Sequence, residues 1–130
     1  MGSFLYPPPE PAAIVIYDDG GGLVEEYKAA VIRYATADRQ VKVVGSCRSA
    51  CTLVLAYTNT CVYPSAVFKW HMAYNSFDPN LLYPEVTDEM IDWMPWSIQT
   101  HLRANIRKEY HAGATMTGRQ LISYGVRECK

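Results

Sequence analysis

The chain has 130 residues, 49% of them hydrophobic and 19% charged, and its 12 basic and 13 acidic side chains leave a net charge of −1. That length fits one domain able to bury roughly two-thirds of the surface its unfolded chain exposes, and the charge balance excludes a broad nucleic-acid footprint or a polybasic membrane anchor. No apolar run approaches the roughly 20 residues of a membrane-spanning helix, and an aromatic content of 12%, with ten tyrosines, argues against disorder.

Residues 1–12 read as a proline-rich arm, because Pro7-Pro8-Pro9-Glu10-Pro11 cannot donate ladder hydrogen bonds and favours extended polyproline. Residues 13–130 read as one domain. The start Met1-Gly2-Ser3-Phe4-Leu5-Tyr6 has no basic-then-apolar signal pattern and no myristoylation pattern, which leaves cytoplasm and periplasm both open. Ala13-Ile14-Val15-Ile16-Tyr17 is apolar and β-branched, as suits a buried strand, and Asp18-Asp19-Gly20-Gly21-Gly22 breaks it. Leu23, Val24, Tyr27, Ala30, Val31, Tyr34 and Ala35 then recur at helical steps, with Glu25, Glu26 and Lys28 expected outward. Val41-Lys42-Val43-Val44 predicts a second strand, so that strand, helix and strand form a βαβ unit with a parallel sheet.

Gly45-Ser46-Cys47-Arg48-Ser49 reads as a tight turn, and Ala50-Cys51-Thr52-Leu53-Val54-Leu55-Ala56-Tyr57 as a helix buried all round. Cys61-Val62-Tyr63 and Ala66-Val67-Phe68-Lys69-Trp70-His71 are the next strands, with Lys69 and His71 on one face and Phe68 and Trp70 on the other. Thr87 is the expected N-cap of a helix running to about Tyr110 and kinked or restarted at Pro95. Thr117-Gly118-Arg119-Gln120 matches a capping box opening a short helix that Gly125 closes. Tyr83, Trp93 and Trp96 stand near helix starts, where aromatics usually join the core.

The four cysteines are too sparse for a disulfide scaffold. They read as small core residues, or Cys51 and Cys61 pair if the compartment is oxidising. No zinc spacing is present, and no metal or other cofactor is expected.

Two small-residue turns each follow a parallel strand and precede a helix, so both belong at the carboxyl edge of the sheet. Gly20-Gly21-Gly22 exposes backbone N–H donors suited to an anion or a developing oxyanion. It fails the dinucleotide fingerprint, since Glu25 occupies the third glycine position, and it fails the P-loop pattern. The second turn sets Ser49 at a helix N-terminus, where its hydroxyl meets the positive end of the dipole and the Ala50 N–H. His71 on a neighbouring strand is the candidate base. Singly, Ser49 also reads as an N-cap and His71 as a structural histidine; their combination with the glycine turn makes a site. Lys69 offers a rival Ser-Lys dyad, and Cys47 and Cys51 rival nucleophiles beside His71.

The ordered set Asp19-Gly20-Gly21-Gly22-Leu23-Val24, Gly45-Ser46-Cys47-Arg48-Ser49-Ala50-Cys51, Phe68-Lys69-Trp70-His71 and Met116 to Val126 resembles the Clp protease proteolytic subunit (ClpP) family. The likeness is greatest to small members whose nucleophile lies in a Cys-x-Ser-Ala-Cys segment. It implies a ClpP/crotonase-like α/β spiral of βαβ units, with a mainly parallel sheet and outer helices. It further implies a serine peptidase with Ser49 as nucleophile, His71 as general base, and Gly21 and Ala50 N–H groups as the oxyanion hole. A peptide or protein substrate and a homo-oligomer follow, with no nucleic-acid or membrane partner. The alternatives are a catalytically inactive scaffold or assembly protein and a crotonase-type acyl-thioester enzyme.

The sequence departs from the family in three places. His111-Ala112-Gly113-Ala114-Thr115 stands where the triad acid belongs and holds no carboxylate, with Gly113 at about the aspartate position. The histidine is then left to another group, such as a backbone carbonyl. Only residues 13–17 precede the glycine turn, where full-length members carry further strands. The segment between His71 and Thr117 lacks the motifs tied to ring assembly, so neither a heptameric ring nor an ATPase partner is carried over.

Overall fold

The computed structural model describes residues 11–106 and 113–130. The proline-rich arm up to Glu10 and the expected helix end near Tyr110 lie outside the described residues. Strand β1 (Ile14–Asp19) leads through helix α1 (Val24–Thr36) to strand β2 (Val41–Arg48), and the two strands pair in parallel. On its other side β2 divides its partners. Val41, Lys42 and Val43 pair with β3 (Thr60–Val62), while Ser46, Cys47 and Arg48 pair with β4 (Val67–Trp70), both in parallel. Strand β5 (Ala114–Thr117) adds antiparallel to β4, and β6 (Arg127–Glu128) adds parallel to β3. Because β3 and β4 take different halves of one strand, the sheet curls. The result is a mixed α/β fold with a curled, mostly parallel sheet.

The expected turn at residues 45–49 is therefore mostly strand. Asp18 and Asp19 pair with Ser46 and Cys47 on one side, and Val67, Phe68 and Lys69 pair with Ser46, Cys47 and Arg48 on the other. Ladder hydrogen bonds on both sides outweigh a local turn preference, which is the usual fate of weak propensities in a central strand. The apolar run that follows is a 3-10 helix (Ser49–Ala56), with every residue from Ala50 to Leu55 buried. It lies at the centre of the core with Val41, Val43, Phe68, Trp70, Met116 and Leu121.

Helix α2 (Pro84–Trp93) starts three residues before the expected cap, with Pro84 in its first turn, where a missing N–H costs nothing. Thr87 is a buried interior residue instead: its Oγ1 accepts from the Ala73 N–H at 2.8 Å and donates toward Tyr83 O. Helix α3 (Trp96–Asn105) restarts after Pro95 as expected. Trp96 is 87% exposed rather than core. Lys28, expected outward, is buried: Glu89 of α2 and Glu25 bond its ammonium, and the Trp93 ring lies 5.4 Å away. The Glu89 hydrogen bond holds the Lys28 pKa above its ordinary value against the opposing effect of burial. The capping box on α4 (Gly118–Ser123) forms as predicted, with reciprocal Thr117 and Gln120 hydrogen bonds.

The cysteines pair differently from the expected Cys51–Cys61 bridge. Cys47 bonds Cys51 across a separation of four, and Cys61 bonds Cys129 across a separation of 68. Cys51, in the first turn of the 3-10 helix, meets Cys47 at the end of β2 only four residues back, while Cys61 on β3 meets Cys129 in the segment that follows β6, the strand paired with β3.

Candidate active site

Strands β1, β2 and β4 run parallel and end together: Asp19 is opposite Cys47, and Arg48 is opposite Lys69. The glycine turn, Ser49 and His71 each follow directly, so one sheet edge presents all three. This is where parallel sheets place their sites, since the chain leaves each strand there with its side chains released from the ladder.

Ser49 has φ 56°, in the left-handed region that costs a non-glycine residue about 1–2 kcal/mol. It is half-buried, and its carbonyl accepts the Thr52 hydroxyl at 2.7 Å. Gly21 has φ 89° and abuts it. A Cβ at Gly21 would lie 2.7 Å from Ser49 Cβ, 2.8 Å from Arg48 O and 3.0 Å from Ala50 N. Only hydrogen fits there, so the glycine turn backs directly onto the serine and the first amides of the 3-10 helix. The Ala50 N–H lies in the first turn of that helix, where amides lack an intrahelical acceptor.

The Gly21 N–H donates to Asp19 Oδ1 at 2.9 Å, and the Tyr27 hydroxyl donates to the same oxygen at 2.7 Å. Burial, then the Asp19 hydrogen bond and charge, push the Tyr27 pKa up to about 12, so its phenol stays protonated through the physiological range. Asp19 and Tyr27 were not singled out in the sequence. Their signal was available, because Asp19 ends the strand and Tyr27 belongs to the apolar stripe of the next helix, but a strand-to-helix hydrogen bond depends on how sharply the glycines turn.

His71 follows β4 and is half-buried, its ring against Tyr74 at a centroid distance of 5.5 Å. Its Nδ1 lies 2.9 Å from the Met72 carbonyl oxygen. A carbonyl only accepts, so in the neutral ring Nδ1 carries the proton and Nε2 holds the lone pair a base requires. Among the hydrogen bonds of the described residues none joins Ser49 Oγ to His71. Gly113 does lie beside the histidine: a Cβ there would be 3.8 Å from His71 Cβ but only 2.4 Å from the Trp70 carbonyl oxygen. The position expected to hold an acid has no room for a side chain against β4.

The rival nucleophiles fall away, since Cys47 and Cys51 are joined to each other and hold no thiol. Lys69 is exposed on β4 beside Arg48 in the ladder. Arg48 itself pairs with Asp18 at 3.6 Å, an exposed pair of little energetic weight. A cleft of about 500 Å³ opens between β1 and α1, lined by Ile14, Ile16, Val31 and Tyr34, and reaches Asp19 and Cys51.

No protein-family model matches this sequence, and no curated protein matches it. Among solved structures, that of a peptidase from Plasmodium falciparum is similar over 92% of this chain and 79% of that one, with a TM-score of 0.50 and 7% sequence identity. At that identity the likeness is one of fold.

Proposed function

We propose that this protein is a serine hydrolase acting on peptides, with Ser49 as nucleophile and His71 as general base. One observation carries the reading: a serine held at positive φ, at the carboxyl edge of a parallel sheet, with a glycine backbone pressed against its Cβ. Strain of this kind persists only where surrounding structure enforces it, and it gathers at reacting groups. The fold likeness to a peptidase supports the same class of reaction.

In this reading His71 Nε2 takes the Ser49 proton as Oγ attacks the scissile carbonyl carbon. The tetrahedral oxyanion is stabilised by the Ala50 and Gly21 amides, and it competes with Asp19 Oδ1 for the Gly21 donor. Collapse breaks the C–N bond as His71 returns the proton to the leaving amine, and water then hydrolyses the acyl-enzyme. The Met72 carbonyl, 2.9 Å from Nδ1, orients the ring. The cleft beside β1, where Ile14, Ile16 and Val31 stand with the acidic Asp18, Asp19 and Glu26, offers room for a substrate side chain. No cofactor is needed.

The ClpP-like spiral and a homo-oligomer belong to the same proposal. Phe77 and Trp96, 97% and 87% exposed, are side chains an interface between copies would cover. A fluorophosphonate probe tests the chemistry. Stoichiometric labelling, abolished in Ser49→Ala and slowed at least a hundredfold in His71→Ala, is expected. A folded protein that takes no label is instead the scaffold that the crowded position 113 favours.

A further inference from the structure

We propose that the Cys47–Cys51 disulfide is a positioning element for Ser49, locking its backbone in the left-handed conformation that the fold alone would not hold. The catalytic consequence rests on the hydrolase reading; the conformational claim does not. Four residues of extended chain span roughly 13 Å, yet the Cα atoms of Cys47 and Cys51 are 5.4 Å apart. The three residues between them must reverse the chain within the ring. Arg48 is still extended, with φ −122° and ψ 151°, and the 3-10 helix opens at Ser49 and runs on through Ala50. The reversal therefore falls on Ser49, the residue at φ 56°.

Both ends of the ring are anchored. Cys47 sits in β2 between Asp19 and Phe68 in the ladder, and Cys51 is in the first turn of the buried helix. Both cysteines are fully buried, so the bond acts as a fixed clamp rather than a bridge exposed to solvent reductants. The second disulfide, Cys61–Cys129, lies at the other end of the sheet on β3 and the C-terminal segment, and touches neither turn.

Glycine reads the clamp directly, because it adopts positive φ without the penalty serine meets. In the intact protein Ser49→Gly should raise the melting temperature by about 3 °C, the strain relieved exceeding the added chain entropy. In a Cys47→Ala/Cys51→Ala background the turn relaxes, and the same substitution should lower the melting temperature. An equal gain in both backgrounds would show that the fold holds Ser49 unaided and would overturn the proposal. If the alanine pair does not fold, Cys47→Val/Cys51→Ala, which refills part of the lost volume, carries the same comparison.

The functional arm uses the fluorophosphonate probe on proteins that retain Ser49, well below their melting temperatures. Labelling should slow about tenfold or more without Cys47–Cys51. It should stay within about twofold of the unaltered protein without Cys61–Cys129. Equal labelling rates in the unaltered protein and the Cys47–Cys51 variant would overturn the positioning role. A protein that takes no label in any form defeats the hydrolase reading, while the melting comparison still decides the clamp.

Discussion

The two disulfides occupy opposite ends of one sheet and do different work. Cys61–Cys129 closes a loop with a separation of 68, whereas Cys47–Cys51 closes one of four. By loop-closure entropy the long bridge restricts the unfolded chain by roughly 4 kcal/mol and the short one by roughly 2 kcal/mol. The long bridge ties the segment after β6 to β3, at the end of the sheet away from Ser49. The short one brackets a strained serine beside the glycine turn. Global stability and local geometry are thus entrusted to separate covalent links, and each can be removed without removing the other.

The widest separation between the two should come from the long bridge. Cys61→Ala/Cys129→Ala is expected to lose about 4 kcal/mol of unfolding free energy in urea titrations, with its fluorophosphonate labelling rate retained under native conditions. A parallel loss of labelling would erase the distinction between the two ends. Gly21→Ala should do the converse. Its Cβ would fall 2.7 Å from Ser49 Cβ and 2.8 Å from Arg48 O, and alanine resists φ 89°. A labelling rate down on the order of a hundredfold, with a stability loss of about 1–3 kcal/mol, is the expected pattern.

The smallest effect sharpens the comparison inside the site. Tyr27→Phe removes one hydrogen bond to Asp19 and should cost about 1–2 kcal/mol at neutral pH. Because folding raises the Tyr27 pKa from 10.0 to about 12, its contribution is complete below pH 10 and is lost as pH rises toward 12. Urea titrations at stepped pH should therefore show the gap between the two proteins closing across that interval. Lys28, whose pKa is also raised, titrates in both and cancels in the difference.

Local pattern carried much of the architecture. The helical spacing from Val24 to Tyr34 and the capping box at Thr117 became the elements they predicted, and the apolar run before the glycines became a strand, though with Val15 and Tyr17 exposed rather than buried, since β1 pairs with β2 alone among the described strands. Misreadings arose where a distant partner outweighed a local preference. Ser46 and Cys47 read as turn but gained ladder partners on both sides. Thr87 read as a cap but is enclosed by Met72, Ala73 and Tyr83. Lys28 read as solvated but meets Glu89, far along the chain.

The site divides in the same way. Sequence alone supplied the residue types and their order: glycines after one strand, a serine after the next, a histidine after a third. Those follow from local chemistry, because glycine is needed where a backbone must turn and approach closely, and a hydroxyl or imidazole is useful only where it is placed. Tertiary structure alone decided that Gly21 presses on Ser49, that Cys47 takes Cys51, that Asp19 holds the Gly21 amide, and that Met72 sets the tautomer of His71. Each depends on strand register and turn angle. Those quantities are fixed by packing among elements that are distant in the chain.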